Sequence, residues 1–86
     1  MSYRVLIDSR AAGELESLPK SAIQRIDQAI LNLAENPRPT GVKRLRGKLR
    51  DGWRIRVGPY RVLFRIDEEA REVRVFKIGH RRDIYR

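Results

Sequence analysis

Residues 53–66 read W-R-I-R-V-G-P-Y-R-V-L-F-R-I, and the fold turns on how this stretch is read. Two runs of apolar–polar alternation flank Gly58-Pro59, which is the period-2 signature of a hairpin with one buried and one exposed face. A two-residue connection sets the register. Val57 then faces Tyr60, Arg56 faces Arg61, Ile55 faces Val62, Arg54 faces Leu63 and Trp53 faces Phe64. One face carries Trp53, Ile55, Val57, Tyr60, Val62, Phe64 and Ile66, which is a core; the other carries Arg54, Arg56, Arg61 and Arg65. Like charges placed directly opposite each other destabilise a sheet. The arginine face therefore reads either as a solvated surface or as an anion site, since guanidinium groups on a rigid strand pair suit phosphate.

The rest of the chain weighs on that choice. Residues 1–36 hold four basic and five acidic residues, whereas residues 37–86 hold sixteen basic and six acidic ones, within a net charge of +9. A one-sided excess of this kind points to an acidic partner, nucleic acid before acidic protein. A 41% hydrophobic fraction argues against a disordered basic tail. Eighty-six residues are expected to form one domain, 1–86. No cysteine is present, which removes disulfides, thiolate catalysis and cysteine-ligated zinc, and a single histidine leaves no His-rich metal site. No apolar run approaches the ~18 residues of a membrane span, and no signal-like hydrophobic region opens the chain, so a cytoplasmic protein without membrane contact is expected.

Upstream of the hairpin, Tyr3 to Asp8 reads as a first strand, with Asp8 or Ser9 as an N-cap for a short helix over Ala11 to Leu18. Pro19 fits the first turn of a second helix, where a missing N–H costs nothing. In that helix Ala22, Ile23, Ile26, Ala29, Ile30, Leu33 and Ala34 form an apolar stripe, and Asn36-Pro37 ends it. Arg38 to Gly52 reads as a loop, at most with one helical turn. Its Lys43, Arg44, Arg46, Lys48 and Arg50 face the single acid Asp51, and Leu45 and Leu49 anchor it. That loop is either a solvated segment or an electrostatic tether for a polyanion backbone.

Downstream, Asp67 to Arg71 is a polar turn and Glu72 to His80 a further strand, apolar on both faces in its middle as an internal strand would be. Strict alternation with Phe76 and Ile78 toward the helices would put Val75, Lys77, Gly79 and Arg81 on the arginine face. The expected fold class is α+β, in the order β-α-α-β-β-β, with a two-helix hairpin packed on a mainly antiparallel sheet.

Taken in order, these pieces resemble the RelE/ParE superfamily of type II toxin–antitoxin toxins. They are the early strand, L-P-K at 18–20, A-E-N-P at 34–37, L-R-G-K-L at 45–49, the hairpin, and V-F-K-I-G-H-R-R-D-I-Y at 75–85. The resemblance covers nearly the whole chain and implies a RelE-like, microbial-ribonuclease-like fold. RelE-like members are ribosome-dependent endoribonucleases that cut mRNA in the decoding site; ParE-like members poison DNA gyrase and are not nucleases. Tyr85 in G-H-R-R-D-I-Y, with Arg54, Arg56 and Arg61, resembles the RelE branch. The implied partners are a cognate antitoxin, RelB-like or another small acidic protein, together with mRNA and 16S rRNA. Operator DNA is implied only through the toxin–antitoxin complex.

The implied reaction needs no metal and no cofactor: a ribose 2′-OH attacks the adjacent phosphorus and leaves a cyclic phosphate and a 5′-hydroxyl. Such a step needs a base, cations for the phosphorane and an acid for the leaving oxygen. Arg61 matches the family's strand arginine, in the role of stabilising transition-state charge. Arg54 and Arg56 stand where many RelE-like toxins carry lysines; arginine, with a pKa above ~12, holds phosphate well and accepts protons poorly. Arg81 matches the family's basic residue between the last strand and the terminal tyrosine, in a phosphate-binding or general-acid role, and Tyr85 matches the terminal tyrosine that stacks on a base, orients the 2′-OH or shares in proton transfer. His80 belongs to the side-chain type that exchanges protons near neutral pH, and it reads either as an acid or base or as a structural strand end. Arg65, Lys77 and Arg82 join the loop cations Lys43, Arg44, Arg46, Lys48 and Arg50 as expected contacts to RNA or the ribosome. Trp53 could stack on a base, but its place in the alternation puts it in the core. The rival readings are a gyrase-binding toxin without catalysis and an inactive binding module.

Overall fold

A computed structural model of the chain describes residues 2–47 and 51–84. In chain order the elements are β1 (Arg4–Ile7), α1 (Ser9–Glu16), α2 (Lys20–Glu35), β2 (Lys43–Arg44), β3 (Trp53–Val57), β4 (Tyr60–Asp67) and β5 (Glu72–His80). The five strands form one sheet in the order β1-β5-β4-β3-β2. β1 runs parallel to β5, and the other neighbours are antiparallel. The expected α+β layering holds, with two additions: the sheet is mixed, and the basic loop contributes a short edge strand, β2, where a loop was expected.

Local chemistry sets the helix ends. Asp8 occupies the N-cap position of α1 with extended backbone, but its carboxylate makes no capping bond. It accepts instead from Arg74 at 3.0 Å. Pro19 stands just before α2 rather than inside its first turn, and its carbonyl accepts the Ile23 N–H at 3.0 Å. At the far end the Asn36 side chain accepts the Arg38 N–H at 3.1 Å, an Asx turn that leads the chain off the helix.

The hairpin has the register the alternation demands, from Val57 opposite Tyr60 to Trp53 opposite Phe64. Gly58 takes φ +59 in the connection, a conformation that glycine adopts without steric cost. The α2 stripe packs on this sheet: Ile26, Ile30 and Leu33 join Ala11, Leu15, Ile55, Val62, Phe64, Val73, Val75 and Ile78 in the main core. Each Val, Leu, Ile or Phe side chain among these contributes roughly 1.5–3 kcal/mol by leaving water.

Strict alternation fails once, on β5. Between β4 and β5 the register shifts, so that Leu63 faces Lys77 while Phe64 faces Val75. Phe76 is the extra residue of this bulge, which re-aims it. Val75 therefore faces the helices and Phe76 does not, the reverse of the expected assignment. Ile78 lies toward the helices, and Lys77 and Gly79 lie on the arginine face, as expected. Phe76 instead packs against a second, smaller core on the arginine face, made of Leu45, Leu63 and Ile84.

Candidate nucleic-acid interface

The sheet register arranges the basic side chains in rows. Lys43 of β2 stands opposite Arg54 of β3, Arg54 opposite Leu63 of β4, and Leu63 opposite Lys77 of β5. One step toward the hairpin tip, Arg56 stands opposite Arg61 and Arg61 opposite Gly79. One step the other way, Arg65 stands opposite Arg74. Arg56 is exposed, whereas Arg54, Arg61 and Lys77 are half-buried. Neither Arg54 nor Arg56 is ion-paired among the described residues. Arg61 bends toward the turn, where its Nη1 donates to the carbonyls of Gly58 at 3.2 Å and Tyr60 at 3.0 Å. Backbone acceptors thus hold one end of its guanidinium in place.

The charge on this face is graded. Toward the β4–β5 turn, Arg74 binds Asp8 at 3.0 Å and Glu72 at 3.2 Å, and Arg4 binds Glu72 at 2.8 Å. The hydrogen bond from Arg4 holds the Glu72 carboxyl below its ordinary value despite partial desolvation. Asp8 in turn raises the Arg74 guanidinium above the usual arginine range. Arg65 lies over the Phe76 ring at 4.1 Å.

The basic loop splits between the two faces. Lys43 joins the arginine face through its pairing with Arg54, but Arg44 pairs with Trp53 and lies over that ring at 4.9 Å, with Arg38 over the same ring at 5.1 Å. Trp53 is half-buried and packs against the main core, as its phase predicts. Leu45 is the loop's anchor, and its N–H donates to Gly52 O at 2.9 Å. Arg46 is exposed. Lys48, Leu49 and Arg50 lie outside the described residues. Beyond the two-residue β2 the edge of β3 stays open. There a groove of about 450 Å³ is lined by Ala29 and Asn32 of α2, Lys43 and, from β3, Arg54, Ile55 and Arg56.

The segment after β5 crosses onto the arginine face at the hairpin tip. The Arg81 N–H donates to Pro59 O at 2.9 Å, and Arg81 and Arg82 are exposed. Ile84, 1% exposed, plugs into the second core. Gly79 gives it room, because a Cβ there would meet Ile84 Cδ1 at 3.3 Å. Tyr85 lies outside the described residues. His80 is set apart from the arginines. It pairs across strands with Tyr60, a core-face residue, and its ring meets Tyr60 edge-on at 5.9 Å.

The geometry therefore brings Arg54, Arg56, Arg61, Lys43, Lys77 and Arg65 to one face and leaves His80 and Arg44 on the other. The second core is not marked by the period-2 pattern. Its one signal is the apolar run Val62-Leu63-Phe64, which puts Leu63 among the arginines.

Comparison with known proteins agrees with this architecture. The sequence profile of the ParE toxin of the type II toxin–antitoxin system parDE matches residues 5–85. Toxin RelG of Mycobacterium tuberculosis is 36% identical over 87 residues, covering 100% of this chain and 99% of that protein. Putative toxin RelE1 of Methanocaldococcus jannaschii is 30% identical over 89 residues, covering 100% of this chain and 98% of that one. In the crystal structure of the M. tuberculosis toxin–antitoxin complex RelBE2, one chain superposes with a TM-score of 0.84 at 29% identity, over 94% of this chain and 100% of that one. With full-length matches in sequence and fold, this chain belongs to the RelE/ParE family of type II toxin–antitoxin toxins.

Proposed function

We propose that this toxin is a ribosome-dependent mRNA endoribonuclease working without a metal or cofactor. The observation that carries the reading is the cross-strand pair Arg56 and Arg61, held side by side on a rigid hairpin, with Arg54 one row away. Opposed like charges cost stability in a sheet, and an anion lying across them relieves that cost. The pair sits where the charge of a pentacoordinate phosphorane would develop, with Arg61 stabilising it and Arg54 and Arg56 holding the flanking phosphate oxygens. Arg81 approaches the scissile bond from the tip side, and Tyr85 stacks on a base, orients the 2′-OH or shares in proton transfer. Lys43, Arg46, Lys48, Arg50, Arg65, Lys77 and Arg82 contact mRNA or 16S rRNA, and Arg44 and His80 support the scaffold that presents them.

None of these arginines is a good proton acceptor, so the ribosome's contribution is positioning: rRNA aligns the 2′-OH with the phosphorus, and a weak set of acids and bases suffices. A RelB-like acidic antitoxin neutralises the face in the cytoplasm, and operator DNA is met only by the toxin–antitoxin complex.

The test is mRNA cleavage on programmed ribosomes by wild type, Arg61→Ala and Tyr85→Ala. Cuts in the decoding site, slowed about 10²-fold or more in Arg61→Ala, are expected. No cleavage by folded, antitoxin-free wild type sinks the reading. The match of the ParE profile over residues 5–85 favours one alternative, a gyrase-binding toxin, and a DNA supercoiling assay is then the deciding experiment.

A further inference from the structure

Arg25 lies on the exposed side of α2, away from the residues so far assigned to the site. The residues one helical turn from it are Ser21, Ala22, Gln28 and Ala29, so no carboxylate stands at the spacing that pairs charges on a helix. Among the described residues it makes no ion pair. Its guanidinium is laid against the hairpin connection instead. A Cβ added at Gly58 would come within 3.1 and 3.2 Å of its two terminal nitrogens. From the opposite face of the sheet, Arg61 Nη1 donates to the carbonyl of the same Gly58 at 3.2 Å. Two guanidinium groups thus hold one residue between them. Arg81 is tied to the next residue through its N–H to Pro59 O, and Arg56 stands opposite Arg61. Four arginines from four segments meet at one tip.

We propose that this tip is a phosphate clasp for single-stranded RNA, completed by Arg25, which carries the basic track from the arginine face around the turn to α2. The proposal rests on the reading of the toxin as an RNA-acting protein. Successive phosphates of an RNA backbone that rounds the turn can each be met by a guanidinium fork, one on either side of Gly58. A protein partner would find little to bury among the described residues of this tip, because their large exposed apolar side chains, Ile7 and Leu31, lie on β1 and in the second half of α2.

The experiment uses full-length, antitoxin-free toxin and a short single-stranded RNA with methylated 2′-hydroxyls, titrated at several salt concentrations. Arg25→Gln is expected to weaken binding about fivefold to tenfold near 0.1 M salt and to flatten the logarithmic salt slope by about 0.7. Gly58→Asn, whose side chain tolerates positive φ but crowds the Arg25 guanidinium, is expected to do the same. Arg10→Gln is the control, since Arg10 sits on α1 beside Glu14 at 3.6 Å, and it should bind as wild type.

Wild-type affinity and slope in Arg25→Gln, with Arg56→Gln weakened, would overturn the clasp and leave the nuclease reading standing. RNA binding that depends on Arg25 in a toxin that cuts no mRNA on ribosomes would uphold the clasp and remove the nuclease reading. If Arg25→Gln loosens the antitoxin complex and leaves RNA binding unchanged, the tip is a protein contact and the proposal fails. A wild type that binds no RNA also ends it.

Discussion

His80 accepts three backbone N–H groups from the residues that follow it. Its Nδ1 accepts from Arg82 at 3.1 Å, and its carbonyl accepts from Asp83 at 2.9 Å and Ile84 at 3.0 Å. With the ring seated against Tyr60 on the helix side, this residue winds the chain back onto the arginine face, carrying Arg81 and Arg82 with it. In the proposed nuclease these contacts suit His80 to positioning the tail, and that role separates experimentally from one in proton transfer. Asparagine can accept the same N–H through its side-chain carbonyl, whereas alanine cannot. His80→Asn is expected to keep most of the ribosome-dependent cleavage rate. His80→Ala should lose several-fold in rate, with faster hydrogen exchange at the Arg82 amide, from the loss of a bond worth about 1 kcal/mol. A general acid or base would instead show itself by equal losses of about 10²-fold or more in both variants.

The elements that deliver the basic residues converge on a plug rather than on one another. Leu63 of β4, fully buried, is its centre; Leu45 brings in the basic loop, Ile84 brings in the tail, and the bulge turns Phe76 down onto it. One small cluster therefore holds both segments that flank the hairpin's arginines, and loosening it should loosen both. Leu63→Ala is expected to cost about 2–4 kcal/mol in urea unfolding, and Leu63→Met less than about 1.5 kcal/mol. In the alanine variant, amide exchange at Leu45 and Ile84 should rise together; a rise at only one of them would show that the plug is not shared. This element was hard to read in the sequence for a physical reason. Alternation reports which face a residue takes only while the register is unbroken, and a bulge inserts a residue without leaving any mark on composition. The two-residue β2 was equally hidden, since it is too short to have a period and exists because the edge of β3 offers pairing. The hairpin was legible to the last pair because its turn, its period and its charge alternation all specify one register. Arg54, Arg56 and Arg61 were found on that basis. The side of the sheet on which His80 lies became clear only from its pairing with Tyr60.

Among the described residues, the ion pairs of Arg4, Arg38 and Arg74 lie at the opposite end of the sheet from Arg25, Arg56 and Arg81. Around the β4–β5 turn and the neighbouring part of β1, Arg4, Arg38 and Arg74 are bound to Glu72, Glu68 and Asp8. Tyr3 closes the group by donating its hydroxyl to Glu68 at 3.1 Å. Around the hairpin tip, Arg25, Arg56 and Arg81 have no ion-pair partner among the described residues. Stability and binding should accordingly answer to different ends. The hydrogen bonds from Arg38 and Tyr3 lower the Glu68 carboxyl, and that from Arg4 lowers the Glu72 carboxyl, relative to the ordinary value of 4.5. A carboxylate whose folded value is depressed binds fewer protons in the folded chain than in the unfolded one. Its contribution is therefore fully present above pH 4.5, the value it regains on unfolding, and is lost as pH falls through its lower folded value. Glu68 is exposed and Glu72 half-buried, and solvent reaches both, so the effect is modest for each and shrinks with added salt. Thermal melts of wild type should fall in Tm as pH is lowered from 5 toward 3, and Glu68→Gln and Glu72→Gln should each flatten that fall. Arg56→Gln, at the other end of the sheet, should leave the shape of the profile unchanged while weakening RNA binding. A pH profile that flattened in Arg56→Gln as well would mean that the two ends are electrostatically coupled, and that binding at the tip draws on the same charges that hold the β4–β5 turn.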